Sequence, residues 1–479
     1  MIGESHYEVT INLNKGTPYL LLLKINILVI PPRQRVSAPS ISIPMLSYII
    51  LFLACSSLAY SATWHVSPSG DDKAPGSLEQ PFATIQRAQE SAASGDTVFV
   101  RGGTYQVKES QIALRKDDKA CVTVLDKSGM PGSPITYCAY REEKPVFDYS
   151  DVKPEGVRID AFHITGSWLH LQGLEVTGVQ ATLKTHSQSI CFENDGSHNI
   201  YERLSMHDGQ AIGIYSVRGS DNLFLNCDAW NNWDYTSEDG KGGNVDGFGC
   251  HPTKGSTGNI FRGCRAWFNS DDGYDCITSH ESVTFENCWA LYNGLSPQKK
   301  SLGDGNGFKA GGYGTMAAER MPDPAPRHRV VGCLAVGNKS YGFYANHHPT
   351  GSDWFNNTAY RNKANFNMLC RLRDNVTDVD GFGHKLHNNL SYKSGADILR
   401  FDPARCESSH NSFTLGLTFT DKDFISVDEA ELLKPRQANG DLPIVTFLHP
   451  VEGSVLIDAG VEVGPPFKGA KHDIGAFEQ

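Results

Sequence analysis

Five short segments share a small-then-aromatic step: Asp246-Gly-Phe-Gly249, Asp272-Gly-Tyr-Asp275, Asn306-Gly-Phe-Lys309, Tyr341-Gly-Phe-Tyr344 and Ala364-Asn-Phe-Asn367. Aligned on the aromatic residue, Asp246 falls under Asp272 and Asp275 under Lys309, with Asp271 beside them. Four carboxylates brought onto two adjacent units repel one another, and the arrangement is costly unless a cation neutralises it. A hard divalent ion suits this donor set: calcium takes six to eight oxygens at about 2.3–2.6 Å from carboxylates, carbonyls and water. A single Asp-Gly step needs no such explanation, because aspartate there merely caps a turn. Four in register predict a metal centre, with Asp246, Asp271, Asp272 and Asp275 as its ligands. Lys309, over Asp275, is either an ion-pair partner or an amine with chemistry of its own.

Something must hold these segments in register, and a second repeat supplies it. Phe-Leu-Asn-Cys227-Asp-Ala-Trp-Asn-Asn232, Phe-Arg-Gly-Cys264-Arg-Ala-Trp-Phe-Asn269, Phe-Glu-Asn-Cys288-Trp-Ala-Leu-Tyr-Asn293 and Val-Val-Gly-Cys333-Leu-Ala-Val-Gly-Asn338 align without gaps, and Asn357-Thr-Ala-Tyr-Arg-Asn362 continues the frame. The minimum spacing is 24 residues, with longer intervals between. Alternating apolar positions mark short strands. A unit this small cannot bury its own apolar face, but stacked coils can. Parallel strands then lie about 4.8 Å apart and equivalent residues form columns. The reading is all-β: a right-handed parallel β-helix with an interior cysteine ladder. Asn269, Asn293, Asn338 and Asn362 fall at one turn, where asparagine tolerates left-handed backbone and bonds along the stack.

Insertions cluster around the carboxylates. Residues 232–244 and 296–305 lengthen the approach to two of the small–aromatic steps, and 313–329 follow Lys309. Loops of this length often serve function, and here they would wall a groove. Thr84 caps a helix with Ile85, Ala88 and Ala92 on one face, covering the first coil. It leads into Asp96–Val100 as the first strand. Beyond Cys406 the repeat fades, and 427–433 has a helical pattern. The domain reading is a leader at 1–61, a β-helix over 62–404, and an extension over 405–479 that packs along or caps the coils.

The chain has 479 residues and a net charge of -11. No basic run or stripe is present, which argues against a nucleic-acid partner. Met45–Ser61 is an apolar run ending in small residues, the pattern of an export signal cut after Ser61, with Met45 as the true start. Cys55 sits in a poor lipobox. The run is too short for a membrane span, and none is expected in the mature chain. The product is a secreted, periplasmic or surface protein, expected to be a monomer. Eleven cysteines remain after cleavage, an odd number without zinc-type spacing, which favours the ladder over a disulfide framework.

The segments Val66-Ser-Pro-Ser-Gly-Asp, Gln80-Pro-Phe-Ala-Thr-Ile, Arg101-Gly-Gly-Thr-Tyr, Asn244-Val-Asp-Gly-Phe-Gly, Ser270-Asp-Asp-Gly-Tyr-Asp and Gly305-Asn-Gly-Phe-Lys together resemble the ninth polysaccharide lyase family. The resemblance covers most of 64–400 and is sharpest over 244–312. It implies a calcium-dependent, secreted, pectin-cleaving enzyme with Asp246, Asp271, Asp272 and Asp275 as calcium ligands and Lys309 as catalytic base. Such an enzyme removes the C5 proton of a uronic acid and expels the C4 oxygen by β-elimination. An acidic pectic polysaccharide on an acidic protein needs local cations, for which Lys254, Arg265, Lys309, Arg371 and Arg373 are the candidates. The family includes pectate and rhamnogalacturonan lyases, and the sparse basic residues lean toward rhamnogalacturonan I, which carries a carboxylate on every second sugar. The rival readings are a pectin hydrolase, whose Gly-His-Gly partner is matched only by Gly383-His384-Lys385, and a non-catalytic glycan-binding β-helix. His347 and His348 are read as a loop feature.

Overall fold

A computed structural model describes residues 61–479. The expected leader at 1–61, with Met45 as its start, lies outside the described residues apart from Ser61. Three long sheets run the length of the fold, with 12, 10 and 11 strands. Each coil contributes one strand to each sheet in turn, so neighbours within a sheet come from successive coils and pair in parallel, except for the antiparallel hairpin of Leu114–Lys116 with Lys119–Leu125 at one end of the third sheet. This is the right-handed parallel β-helix anticipated from the 24-residue repeat.

The interior is built from columns. Phe248, Tyr274, Phe308, Phe343 and Phe366 stack along the third sheet with ring centroids 4.6–5.2 Å apart. That spacing matches the distance between strands, so each ring covers the next. Cys227, Cys264, Cys288 and Cys333 are fully buried, and all eleven described cysteines are unpaired. Burial pushes the Cys227, Cys264 and Cys288 thiols far above their usual range, so they serve as small apolar side chains.

The asparagine column is longer than the repeat suggested. Side-chain amides link Asn232 to Asn269, Asn269 to Asn293, Asn293 to Asn338 and Asn338 to Asn362 at 3.0–3.1 Å, and Asn362 donates onward to Asn365. Left-handed backbone, however, belongs to the preceding residue: Asn231, Phe268, Tyr292, Gly337 and Arg361 have φ of 53°, 54°, 56°, 62° and 56°. The ladder asparagines instead satisfy buried backbone groups at the corner, a role a side chain lacking both donor and acceptor cannot fill.

Helix Ile85–Ser91 has Thr84 as its cap, the hydroxyl accepting from Arg87 N at 3.1 Å, and it buries Ile85 and Ala88 against the first coils. The first strand is not the one at 96–100. Thr63–Val66 precedes it and pairs with Thr97–Val100, adding a rung the repeat does not announce. The tail follows Glu407–Ser409, the last strand of the first sheet. It includes a short 3-10 helix, Glu429–Leu433, and lays Phe424, Leu432, Phe447, Leu456 and Ile474 on the outer face of the second sheet over Trp289, Leu291, Leu334 and Val336. Those apolar outward residues on the second sheet need such a cover.

Candidate active site on the third sheet

The outer face of the third sheet carries one continuous row. Strand register places His163, Glu193, Tyr215, Gly249, Asp275, Lys309, Tyr344, Asn367 and Leu399 at equivalent positions on successive coils. Asp275 and Lys309 are therefore cross-strand neighbours, as the small–aromatic alignment required. Just before this row, where the chain turns into the third sheet, Asp246 and Asp272 lie one above the other. The Asp272 amide donates to Asp246 Oδ1 at 3.1 Å.

Carboxylate oxygens of Asp246, Asp272 and Asp275 come within 4.8 Å of one another. Asp271 is buried beside them but outside this tight group, its Oδ1 accepting from the Asp304 amide at 2.9 Å. Each carboxylate has one oxygen tied to the backbone frame. Asp272 Oδ1 accepts from Asn306 N and Nδ2 at 2.6 and 2.8 Å, and Asp275 Oδ1 from Ile277 N at 2.7 Å. The second oxygens of Asp275 and Asp272 turn toward Lys309, whose Nζ lies 3.0 Å from Asp275 Oδ2 and 3.1 Å from Asp272 Oδ2. Asp272 Oδ2 is buried and, apart from the Lys309 ammonium, has no donor. A deeply buried carboxylate oxygen held by no hydrogen bond is an atom a hard cation can take up, and the all-carboxylate set fits calcium.

The electrostatics point the same way. Burial, reinforced by Asp275, Asp271 and Asp272, holds Asp246 well above the usual carboxylate range. Burial and Asp272 do the same to Asp271, and burial raises Asp272 against the pull of Lys309. Burial by itself would depress Lys309, but Asp275, Asp272, Asp271 and Asp246 outweigh it and keep the ammonium charged. One lysine thus faces a group of carboxylates that it cannot balance.

The cations expected in the cleft separate. Lys254 sits on an exposed turn just after Phe248–Cys250 of the third sheet. Arg371 and Arg373 lie on the hairpin that follows Ala364–Asn367, beside the row. Arg371 Nε donates to Asp378 Oδ1 at 2.7 Å, and Arg373 Nη1 to the Pro322 carbonyl at 2.8 Å. A chain of contacts leads from the row to Arg371: Tyr344 Oη to His347 Nδ1 at 3.3 Å, His347 Nε2 to Asp378 Oδ2 at 3.5 Å, then Arg371. His348 is buried, and its Nε2 contacts the Pro326 carbonyl at 2.7 Å, which pins the loop that follows Lys309.

Arg265 departs from expectation. It projects from the second sheet, buried under the tail, with bonds to Asp228 at 2.9 and 2.7 Å and to the Leu432 and Lys434 carbonyls. It follows the Cys264 anchor directly, and that anchor belongs to the second sheet. Arg265 therefore fastens the extension rather than lining the groove.

Sequence reasoning also missed participants. Asn306 occupies the column of Asp246 and Asp272 and orients the latter. Tyr215 and Tyr344 occupy the row of Asp275 and Lys309. All three were legible from column position, but their polar or aromatic side chains carry no motif of their own.

A family model described as "Pel9A-like, right handed beta helix region" matches residues 64–389. The chain is 31% identical to "Pectate lyase L" of Dickeya chrysanthemi over 431 residues, 88% of this chain and 92% of that one. It is 29% identical to "Pectate lyase PEL9" of Emericella nidulans over 428 residues, 85% and 96% of the two chains. Among solved structures, one titled "Rhamnogalacturonan lyase" superposes with a TM-score of 0.78 at 44% identity, covering 82% of this chain and 97% of its own. The crystal structure of pectate lyase Pel9A gives 0.72 at 29% identity, covering 88% and 96%. The chain therefore belongs to the Pel9A-like right-handed β-helix family of polysaccharide lyases.

Proposed function

We propose that this lyase is exported and cleaves a galacturonate-containing pectin backbone by β-elimination, with Lys309 as base and Asp246, Asp271, Asp272 and Asp275 holding calcium. The carrying observation is the placement of Lys309 Nζ 3.0 Å from Asp275 and 3.1 Å from Asp272, at the least buried edge of the carboxylate group. Calcium, when bound, supplies a Lewis acid for the uronate carboxylate and offsets the charge that builds as the C5 proton leaves.

Lys309 must lose its own proton first. With the surrounding carboxylates uncompensated it stays charged. Once their charge is neutralised, the influence that remains is burial, which favours the neutral amine. The same residues therefore switch the lysine from ion-pair partner to proton acceptor. Asn306 and the backbone amides of Ile277 and Asp304 hold the carboxylates still, so Nζ has one fixed direction of approach to C5. Lys254 and the anchored Arg371 and Arg373 are the candidates for contacting uronates along the chain.

The hydrolase reading rests on His384 as the histidine partner of the carboxylates. His384 instead lies fully buried in the interior, Nδ1 accepting from Ser352 N at 3.0 Å and Nε2 3.4 Å from Cys370 Sγ. The deciding experiment incubates the protein with rhamnogalacturonan I and with homogalacturonan and follows ultraviolet absorbance of the unsaturated product. Elimination creates a carbon–carbon double bond and hydrolysis does not. Reducing ends without absorbance would replace this reading with a hydrolytic one.

A further inference from the structure

Next to the metal-binding carboxylates, on the side toward the N-terminus, the row offers Gly249 and then Tyr215. A Cβ added to Gly249 would lie 2.6 Å from Tyr215 Cδ2 and 3.0 Å from Cε2. The tyrosine ring thus leans across the glycine toward the Asp275 strand instead of standing over its own rung. Any side chain at 249 would push it away. His251 tethers the ring: its Nδ1 lies 3.2 Å from Tyr215 Oη, and the two rings meet edge-on with centroids 4.9 Å apart. His251 Nε2 is buried without a hydrogen-bond partner, so Tyr215 is the imidazole's one side-chain hydrogen-bond partner. Tyr215 itself remains half-buried.

The surroundings set which ligand fits. The next position outward is Glu193, whose carboxylate accepts from Lys119 Nζ at 2.5 Å and contacts His163 Nδ1 at 2.8 Å. Lys119 also reaches Asp160 at 3.3 Å. Lys119 and His163 are therefore already engaged by carboxylates, Arg158 faces Asp118 at 3.7 Å, and Gly249 and Tyr215 bring no charge. A uronate here would meet an aromatic ring and the Glu193 carboxylate, while the neighbouring cations already face carboxylates. A neutral sugar would lay its apolar C–H face on the ring and lose nothing.

We propose that Tyr215, leaning over Gly249 and tethered by His251, is the platform on which a neutral sugar adjoining the calcium-held uronate stacks. This rests on the lyase reading of the same site. It makes Tyr215 a specificity-determining residue for a backbone in which uronate and neutral sugar alternate, and it gives Gly249 a function beyond backbone freedom.

The test compares wild type with Tyr215→Ala, Tyr215→Phe and Gly249→Ala on rhamnogalacturonan I oligosaccharides and on oligogalacturonates. Stabilisation by calcium in thermal unfolding serves as a check that each variant still builds the carboxylate site. Tyr215→Ala is expected to raise KM on the alternating substrate about tenfold, the cost of losing one well-buried apolar contact, with a smaller change on oligogalacturonates. Gly249→Ala should reproduce this by displacing the ring, and Tyr215→Phe should retain most of the affinity. Equal KM changes on both substrates, or none, would overturn the platform. Failure of the lyase reading looks different: wild type would then produce no unsaturated product from either polymer. Calorimetric binding of the rhamnogalacturonan I oligosaccharide to wild type and Tyr215→Ala would still decide the platform, because equal affinities refute it.

Discussion

Lys309 and Asp275 occupy the same position on adjacent coils, and the lysine amine reaches the aspartate at 3.0 Å without leaving the outer face of the third sheet. Parallel stacking alone produces this pairing, since in-register strands bring equivalent residues into cross-strand contact. A buried lysine paired with carboxylates would ordinarily be structural. Here the carboxylates outnumber it, and that imbalance makes the pair a candidate for catalysis.

Lys309→Ala removes the proposed base while leaving the carboxylate frame, which is held by backbone amides and Asn306. Formation of unsaturated product should fall by about 10²–10⁴-fold, the usual worth of positioned proton transfer. The far-ultraviolet circular dichroism of the parallel sheets should not change. Turnover within a few fold of wild type would remove Lys309 from the mechanism.

In calcium, activity should rise with pH. As the proposed base Lys309 must be unprotonated, so the fraction of competent enzyme grows as pH climbs through its folded value, and the rising limb belongs to that residue. Without calcium the four carboxylates hold the amine charged and activity should be absent over the same range. Initial rates from pH 5 to 10, with calcium and with chelator, test both statements. A flat profile counts against Lys309, and undiminished activity in excess chelator counts against the metal assignment.

Asp228 binds two arginines at once, Arg265 from the same sheet and Arg436 from the tail, at 2.7 Å each. Asp228→Ala leaves two buried guanidinium groups unpaired and should cost about 3–5 kcal/mol. Chemical denaturation measures the loss. Limited proteolysis should show new cleavage after residue 405, because the same arginines bond the tail's backbone.

Glu431 is buried in the tail, and its carboxylate accepts from Thr446 N and Oγ1 at 2.8 and 3.0 Å. Burial opposes its charge, but Ser426 and Thr446 prevail and hold its pKa at about 2, below the ordinary 4.5. A depressed folded pKa gives stability that is present above the unfolded value and is lost as pH falls from about 4.5 to about 2. Glu431→Gln should therefore cost about 1–2 kcal/mol at pH 7, and the difference from wild type should shrink steadily below pH 4.5. A pH-independent difference would assign the effect to packing.

The amino-acid sequence by itself determined the coil, the cysteine and asparagine columns, and the pairing of Asp246 with Asp272 and Asp275 with Lys309. All of these follow from one periodicity, because a stack in register turns sequence spacing into spatial contact. Family membership followed from the same segments. Only the tertiary structure decided which face a charged residue serves. Arg265 and Lys309 both sit in repeat positions, yet one lies under the tail and the other in the site, because a 24-residue period does not say which side of the coil the non-repeating chain will cover. The early strand Thr63–Val66, the sideways reach of Tyr215 over Gly249 and the offset of Asp271 from the other three aspartates escaped for a related reason. Each depends on contacts between coils or at a corner, where local spacing no longer dictates direction.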